Sequence, residues 1–105
     1  YIAACLRDIE KYAPDRNTFL QKQIAQDATL RKLQVMAEST QRLGEAVKRL
    51  APHADWSGWS GFRNVFTHAY ITLDLDQIWD IIELDVPKLR AAIDTIMHQL
   101  KLTLQ

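Results

Sequence analysis

Apolar residues recur every three or four positions along nearly the whole chain, and this helical period constrains the fold more than any other feature. In the first segment, Ile2, Leu6 and Ile9 form one such stripe, which Pro14 ends. The chain has only 3 Gly and 3 Pro, too few for the frequent turns of an all-β protein. No segment alternates apolar and polar residues as a strand does. The sequence therefore predicts an all-α protein.

Local signals place the first boundaries between helices. After the first helix, Asp15 opens a polar turn that continues through Thr18. A second, long helix is predicted from about residue 21 to residue 50, and Pro52 stops it. A third begins near Asp55, a good N-cap residue.

Two further starts complete the predicted architecture. Asp74, followed three residues later by Gln77, resembles a capping box for a short helix. The run Asp85-Val86-Pro87 predicts the start of the last helix, with proline at its first position. We expect an antiparallel up-down bundle of four main helices plus a short helix, in a single domain spanning residues 1–105.

Composition limits the class of protein. The single cysteine, Cys5, excludes an internal disulfide and a cysteine-based zinc site, and it is expected in the core. His53 and His98 lack partners in the sequence and are expected on the surface. No apolar run approaches the length of a membrane span, and no secretory signal is visible. We expect a cytoplasmic protein without membrane association.

Charge is zero overall but unevenly distributed. Residues 31–49 are mainly basic, and residues 74–85 carry acids without a base. Two solvated helix faces explain this pattern for most of these side chains. The alternative is a basic surface for RNA and an acidic surface for a protein partner.

The segment Gly61-Phe62-Arg63-Asn64-Val65-Phe66-Thr67-His68-Ala69-Tyr70 carries the main chemical signal. A guanidinium can neutralise charge on a phosphorane, and an imidazole can move a proton near neutral pH. Arg63 and His68 therefore form a minimal set for cleaving a phosphodiester without a metal. The alternative is a capped helix with a surface Arg63 and a half-buried His68.

Motif and helix order together resemble the HepT-like branch of the HEPN superfamily over almost the whole chain. The segment GFRNVFTHAY is similar to the family's G-x-R-N-x-x-x-H-x-Y. Trp56 precedes it, and Asp74, Trp79 and the run at 85–89 follow in the expected order. The family's second-helix residues are represented by Gln26, Asp27, Ala28, Leu30, Arg31, Leu33, Glu38, Arg42 and Leu43.

Two positions depart from the family's usual pattern. Ala69 stands where glycine is common, and we expect little loss because alanine still permits close packing. Thr67 stands where valine is common, and its hydroxyl is either inert or a second site of modification.

The resemblance implies a metal-independent endoribonuclease that acts on RNA as the toxin of a type VII-like toxin–antitoxin pair. It implies a minimal nucleotidyltransferase as the antitoxin, which transfers AMP to Tyr70 and silences the nuclease. It also implies a homodimer whose two motifs line one cleft, with higher assembly left open. No cofactor and no metal are expected. For Tyr70, a structural role remains the alternative.

The chemistry of the side chains suggests individual roles. His68 would act as general base on a ribose 2′-hydroxyl or as general acid on the leaving 5′-oxygen. Arg63 would stabilise the charge of the transition state. Asn64 would orient His68 or hold a phosphate oxygen, unless it only bonds the backbone near the helix N-terminus. The product would be a 2′,3′-cyclic phosphate, so DNA should resist cleavage.

A regular helix does not bring Arg63 and His68 together, because five residues rotate the chain by about 140° beyond a full turn. Asn64 and His68 share one face, and Arg63 and Tyr70 share another. Arg63 reaches around the helix, the helix distorts near its end, or a second subunit completes the site. We favour the dimer, in which two imidazoles supply both acid and base.

Two non-enzymatic alternatives remain at this stage. One is a helical partner or substrate-binding subunit of a nucleotidyltransferase, which the zero net charge favours slightly. The other is a general dimerisation module, which explains the tryptophans but not the polar motif. Trp56, Trp59 and Trp79 are interpreted as core or dimer contacts in preference to surfaces for base stacking.

Overall fold

Helix follows helix through almost all of the structure. The computed structural model describes residues 2–72 and 74–104, except for the side chains of residues 69–72 and 102–104. A π-helical segment, Ile81–Asp85, joins the last two α-helices. The α-helices are α1 (Ile2–Tyr12), α2 (Arg16–Gln21), α3 (Gln23–Arg42), α4 (Glu45–Lys48), α5 (Trp56–Thr72), α6 (Leu75–Asp80) and α7 (Val86–Leu104).

The predicted fold class is confirmed. The described ranges contain no strand, and α1, α3, α5 and α7 are the four main helices of an all-α, HEPN-like bundle. No helix in these ranges is both long enough and apolar enough to cross a membrane.

The third helix, α3, organises the core. It packs against both α1 and α5, and α7 packs against α1. Leu33 and Met36 of α3 are inaccessible to solvent, as is Phe66 of α5, and Leu6 and Ile9 of α1 are almost so. Burying an apolar side chain of this size stabilises the fold by about 1.5–3 kcal/mol. Because α5 buries its apolar face in this core, its polar face is turned outward.

The long helix predicted for residues 21–50 is wrong in its extent. Leu43 (φ −66°, ψ 131°) and Gly44 (φ −67°, ψ 157°) are extended and separate α3 from α4. A glycine costs about 1 kcal/mol in a helix relative to alanine, so the chain breaks here at little expense. The break brings α4 and the following Arg49 beside the first turns of α5, where together they line a groove.

The polar turn predicted at Asp15 is instead the N-cap of α2. The Asp15 carboxylate accepts a hydrogen bond from the backbone N–H of Thr18 at 2.7 Å and another from the hydroxyl of Thr18 at 3.2 Å. These bonds, the backbone one foremost, lower the pKa of Asp15. The cap therefore stabilises the fold above the ordinary carboxyl pKa of about 3.9 and is lost as the pH falls through the lower pKa of the folded state.

The start predicted for the last helix at Asp85-Val86-Pro87 is confirmed in position, since α7 begins at Val86, but the chain before it is already helical. The helix runs without a break from α6 through the π segment into α7, and the N–H of Val86 donates to the carbonyl of Ile81, five residues earlier. Pro87 has no N–H, and its ring crowds the carbonyl of residue 83 in a regular α-helix. The wider turn just before it accommodates both effects.

Several predictions for individual side chains are confirmed. Asp74 caps α6, and its carboxylate accepts the N–H of Gln77 at 3.2 Å. Cys5 is 1% exposed in the core, and burial raises the pKa of its thiol. His53 and His98 are exposed.

Candidate active site

The start of α5 is fixed by the predicted N-cap, Asp55. Its carboxylate accepts the backbone N–H of Gly58 at 2.9 Å and the hydroxyl of Ser57 at 3.3 Å. A Cβ atom at Gly58 would overlap this carboxylate, whereas at Gly61 it would meet nothing. Gly58 therefore leaves room for the cap.

This contact predicts that the effect of Gly58→Ala on stability depends on Asp55. Alanine normally stabilises a helix by about 1 kcal/mol relative to glycine. Here its methyl group displaces a cap worth about 0.5–2 kcal/mol, so Gly58→Ala should be neutral or destabilising. In an Asp55→Ala background the same change should stabilise the protein by about 1 kcal/mol. Urea denaturation of the four proteins of this cycle measures the coupling, and equal effects in both backgrounds would contradict the contact.

The apolar face of α5 holds the helix against the core. Trp59 is 4% exposed, and its ring meets Phe62 edge-on with centroids 5.1 Å apart. Phe66, fully buried, lies 5.9 Å from Phe62 between ring centroids. Trp59 is therefore a core residue, as predicted. Trp79, half-buried, packs against Phe19 with centroids 5.9 Å apart.

The three predicted catalytic residues are exposed on α5. Arg63, Asn64 and His68 are all accessible to solvent. The half-buried His68 that a purely structural capped helix would have is therefore not observed. In the described part of the chain, no carboxylate forms an ion pair with Arg63. Its charge is thus available to an anion.

The helical register brings only part of the set together. The backbone from Trp56 to Thr72 is α-helical throughout, which excludes a distortion near the helix end as the means of joining Arg63 to His68. Asn64 and His68 lie one turn apart on one face, whereas Arg63 and His68 are about 140° apart around the axis. Two ways of bringing Arg63 and His68 together remain. Either the Arg63 side chain extends around the helix, or a second subunit completes the site.

Thr67 has a structural partner within this face. Its hydroxyl donates to the backbone carbonyl of Arg63 at 3.0 Å, a bond between successive turns of the helix. Sequence reasoning offered only inertness or modification for Thr67 and missed this contact, although a threonine four residues after a carbonyl can always make it. The backbone of Tyr70 belongs to α5, but its side chain lies outside the described residues.

The exposed residues Arg63, Asn64 and His68 together offer charge and proton transfer. A guanidinium can stabilise an oxyanion, an amide can orient a neighbour, and an imidazole can act as acid or base. No group of three or more His, Cys, Asp or Glu side chains in the described ranges is placed to hold a metal ion.

A groove of about 430 Å³ lies beside the first two turns of α5. Its lining includes Lys48, Arg49, Trp56, Ser57 and Ser60. Sequence reasoning placed Lys48 and Arg49 in a basic segment but did not join them to Trp56. The sequence does place Lys48, Arg49 and Trp56 within nine residues of one another, on either side of Pro52. Only the break after α3, however, shows that these side chains line the same groove.

Comparisons with known proteins place the chain among ribonucleases. The chain matches the family described as ribonuclease HepT-like over residues 2–96. A proposed ribonuclease HepT of Thermococcus cleftensis is 26% identical over 97 residues, covering 90% of this chain and 88% of that protein. A proposed RNase of Methanocaldococcus jannaschii is 26% identical over 82 residues, covering 78% of this chain and 75% of that protein.

A second Methanocaldococcus jannaschii protein, named as a gamma-glutamylcyclotransferase and proposed RNase, is 26% identical over 102 residues. The match covers 95% of this chain but 46% of that protein, so this chain spans about half its length. No solved structure matches the chain. Because the family match extends over nearly all of the sequence and includes the whole of α5, the chain belongs to the HepT-like ribonuclease family.

Proposed function

We propose that this protein is a metal-independent endoribonuclease. The observation that carries the proposal is the exposed set of Arg63, Asn64 and His68 on one helix of a chain that belongs to a ribonuclease family. A binding scaffold has no chemical need for an exposed imidazole and, on the same helix, an exposed guanidinium that has no ion pair among the described residues.

The chemistry follows from the groups present. One imidazole of His68 removes the proton of a ribose 2′-hydroxyl, whose oxygen attacks the adjacent phosphorus. Negative charge builds on the phosphorane oxygens, where Arg63 stabilises it. The bond between phosphorus and the 5′-oxygen breaks, and the 5′-oxygen takes a proton from a second group, which acts as general acid. The products are a 2′,3′-cyclic phosphate and a free 5′-hydroxyl.

A homodimer supplies this general acid. His68 of the partner subunit would serve as the acid while the first acts as the base, and higher assembly is left open. This arrangement is supported by the 140° separation on a regular helix and by the exposure of all three side chains. Asn64, one turn before His68, would orient its ring or hold a phosphate oxygen.

Control of such a nuclease would act through Tyr70. The residue lies two turns after Arg63 on the same helical face. Transfer of AMP to its hydroxyl by a minimal nucleotidyltransferase antitoxin would place a phosphodiester near Arg63 and compete with the RNA phosphate. The protein would then be the toxin of a type VII-like toxin–antitoxin pair in the cytoplasm.

The test is cleavage in EDTA of an RNA and of a DNA with the same sequence. We expect the RNA to be cut to products ending in a 2′,3′-cyclic phosphate and the DNA to remain intact, because it lacks the attacking hydroxyl. Gel analysis and mass spectrometry of the fragments provide the measurement. Cleavage of the DNA, or products ending in a 3′-hydroxyl, would rule out this mechanism.

One outcome favours the second candidate function. If the protein cuts neither substrate and its intact mass shows no added AMP, a non-catalytic partner or substrate-binding subunit of a nucleotidyltransferase becomes the better account. The zero net charge of the chain is the feature that supports this alternative.

A further inference from the structure

The groove between α4 and α5 carries a positive charge that the protein leaves unneutralised. Lys48 is half-buried and Arg49 exposed, and none of the ion pairs among the described residues involves either. Two other basic residues of the segment 31–49 are paired: the lysine at 32 contacts Asp8, and the arginine at 42 contacts Glu38. Glu45 is the one acid among the lining residues, so the groove is net cationic.

An aromatic ring stands in the same groove in a fixed orientation. The indole N–H of Trp56 donates to the carbonyl of Ala51 at 3.2 Å. This bond satisfies the polar atom of the ring, which is only half-buried, whereas Trp59 is enclosed by the core. A tryptophan with its N–H already bonded still offers a π face to a stacking partner.

The groove also points towards the candidate active site. Ser60 in its wall, Asn64 and His68 follow one another at intervals of four residues on α5, so they lie along one face. Ser60 and His68 are about 12 Å apart along the axis. At about 3.4 Å per stacked nucleotide, three or four nucleotides bridge this distance.

We propose that this groove is a subsite for single-stranded RNA, in which Trp56 stacks on a base and Lys48 and Arg49 hold phosphates. Cations beside an aromatic ring are the combination that binds single strands without reading their sequence. The proposal rests on the proposed ribonuclease function, since it assigns the groove to the RNA flanking the cleaved phosphate. Trp56 thus has a role that sequence reasoning set aside in favour of packing.

The test uses an RNA of about 20 nucleotides whose 2′-oxygens are methylated throughout, so that it binds but is not cut. Its affinity is measured by fluorescence anisotropy at several salt concentrations. Lys48→Gln with Arg49→Gln should weaken binding about tenfold or more and reduce the salt slope by about 1.4. Trp56→Leu should weaken it about 5- to 150-fold, and Trp56→Phe, which keeps an aromatic face, far less.

A matched control removes the same charge elsewhere. Arg7 and Lys11 are exposed on α1, which packs on α3 and α7. The double change of both to glutamine should leave the affinity within about twofold of wild type, apart from the general effect of net charge.

Cleavage assays separate a subsite from a structural effect. With unmodified RNA of the same length, the groove variants should raise KM and leave kcat close to wild type. With a dinucleoside monophosphate, too short to reach the groove, kcat/KM should be unchanged. Equal losses on both substrates, or unchanged affinity for the long RNA, would overturn the subsite while the nuclease stands.

Failure of the proposed function is a different result. In that case the wild type cuts neither substrate, while the anisotropy measurement still decides the groove. Loss of RNA binding in both the cation and the tryptophan variants supports the subsite, and binding equal to wild type in either one overturns it.

Discussion

Replacing His68 with alanine is expected to lower kcat/KM for RNA by about 10²–10⁴-fold, the usual contribution of a general acid or base. The loss should be near the upper end, because in the proposed dimer the change removes both imidazoles from the cleft. Because the side chain is exposed, its removal leaves no cavity in the core, and the unfolding midpoint should stay within the error of the wild type. Steady-state cleavage in EDTA with circular dichroism on the same samples provides the measurement.

His98→Ala is the matched control for this prediction. His98 is also exposed on a helix, α7, outside the polar face of α5. It should retain full activity. Equal activity of His68→Ala and wild type would remove His68 from the mechanism, and an equal loss in His98→Ala would point to a non-specific cause.

Replacing Phe66 with alanine is expected to destabilise the protein by about 3–5 kcal/mol. Its ring is fully buried, packs next to Phe62 and lies on the face of α5 opposite Asn64 and His68. A natural domain has about 5–15 kcal/mol of stability in total, so this change would bring the fold close to its limit. Urea denaturation measures the loss directly.

Cys5 provides an independent readout of the same change. Its thiol is 1% exposed, and the raised pKa keeps it protonated and unreactive in the folded state. A thiol reagent should therefore label Cys5 much faster in Phe66→Ala than in wild type. Phe62→Ala, at a half-buried position, should give a smaller effect on both measurements. A labelling rate equal to wild type in Phe66→Ala would show that this ring is not essential to the core.

The parts of the fold that sequence predicts are those with a strong local cause. Pro14 ends α1, and Asp55 and Asp74 cap the helices that follow them, because each acts on its own neighbours in the chain. The break at Gly44 escapes prediction, since its local cost is small and the bundle decides whether the chain turns there. The π segment before Pro87 likewise depends on tertiary packing, because the local sequence is typical of a helix start.

The candidate site divides in the same way. The shared face of Asn64 and His68 follows from their spacing alone, and so does the separation of Arg63 from His68. The meeting of Lys48 and Arg49 with Trp56 depends on where α4 lies, which no local pattern determines. In the proposed dimer the second half of the cleft would come from another molecule, which the periodicity of one chain cannot predict.

The π segment also sets the rotational phase of the C-terminal helix. A turn closed over five residues adds one residue to the winding, so everything after it is rotated by about 100° relative to an uninterrupted α-helix. One unbroken helix can therefore pack against two different parts of the bundle: α6 contacts α2 and α5, whereas α7 contacts α1. A regular α-helix through all five residues would turn the apolar stripe of α7 away from α1, whereas deleting one of them would let a regular α-helix keep the stripe facing α1. The wide turn is therefore as much a part of the fold as the hydrophobicity of the residues around it.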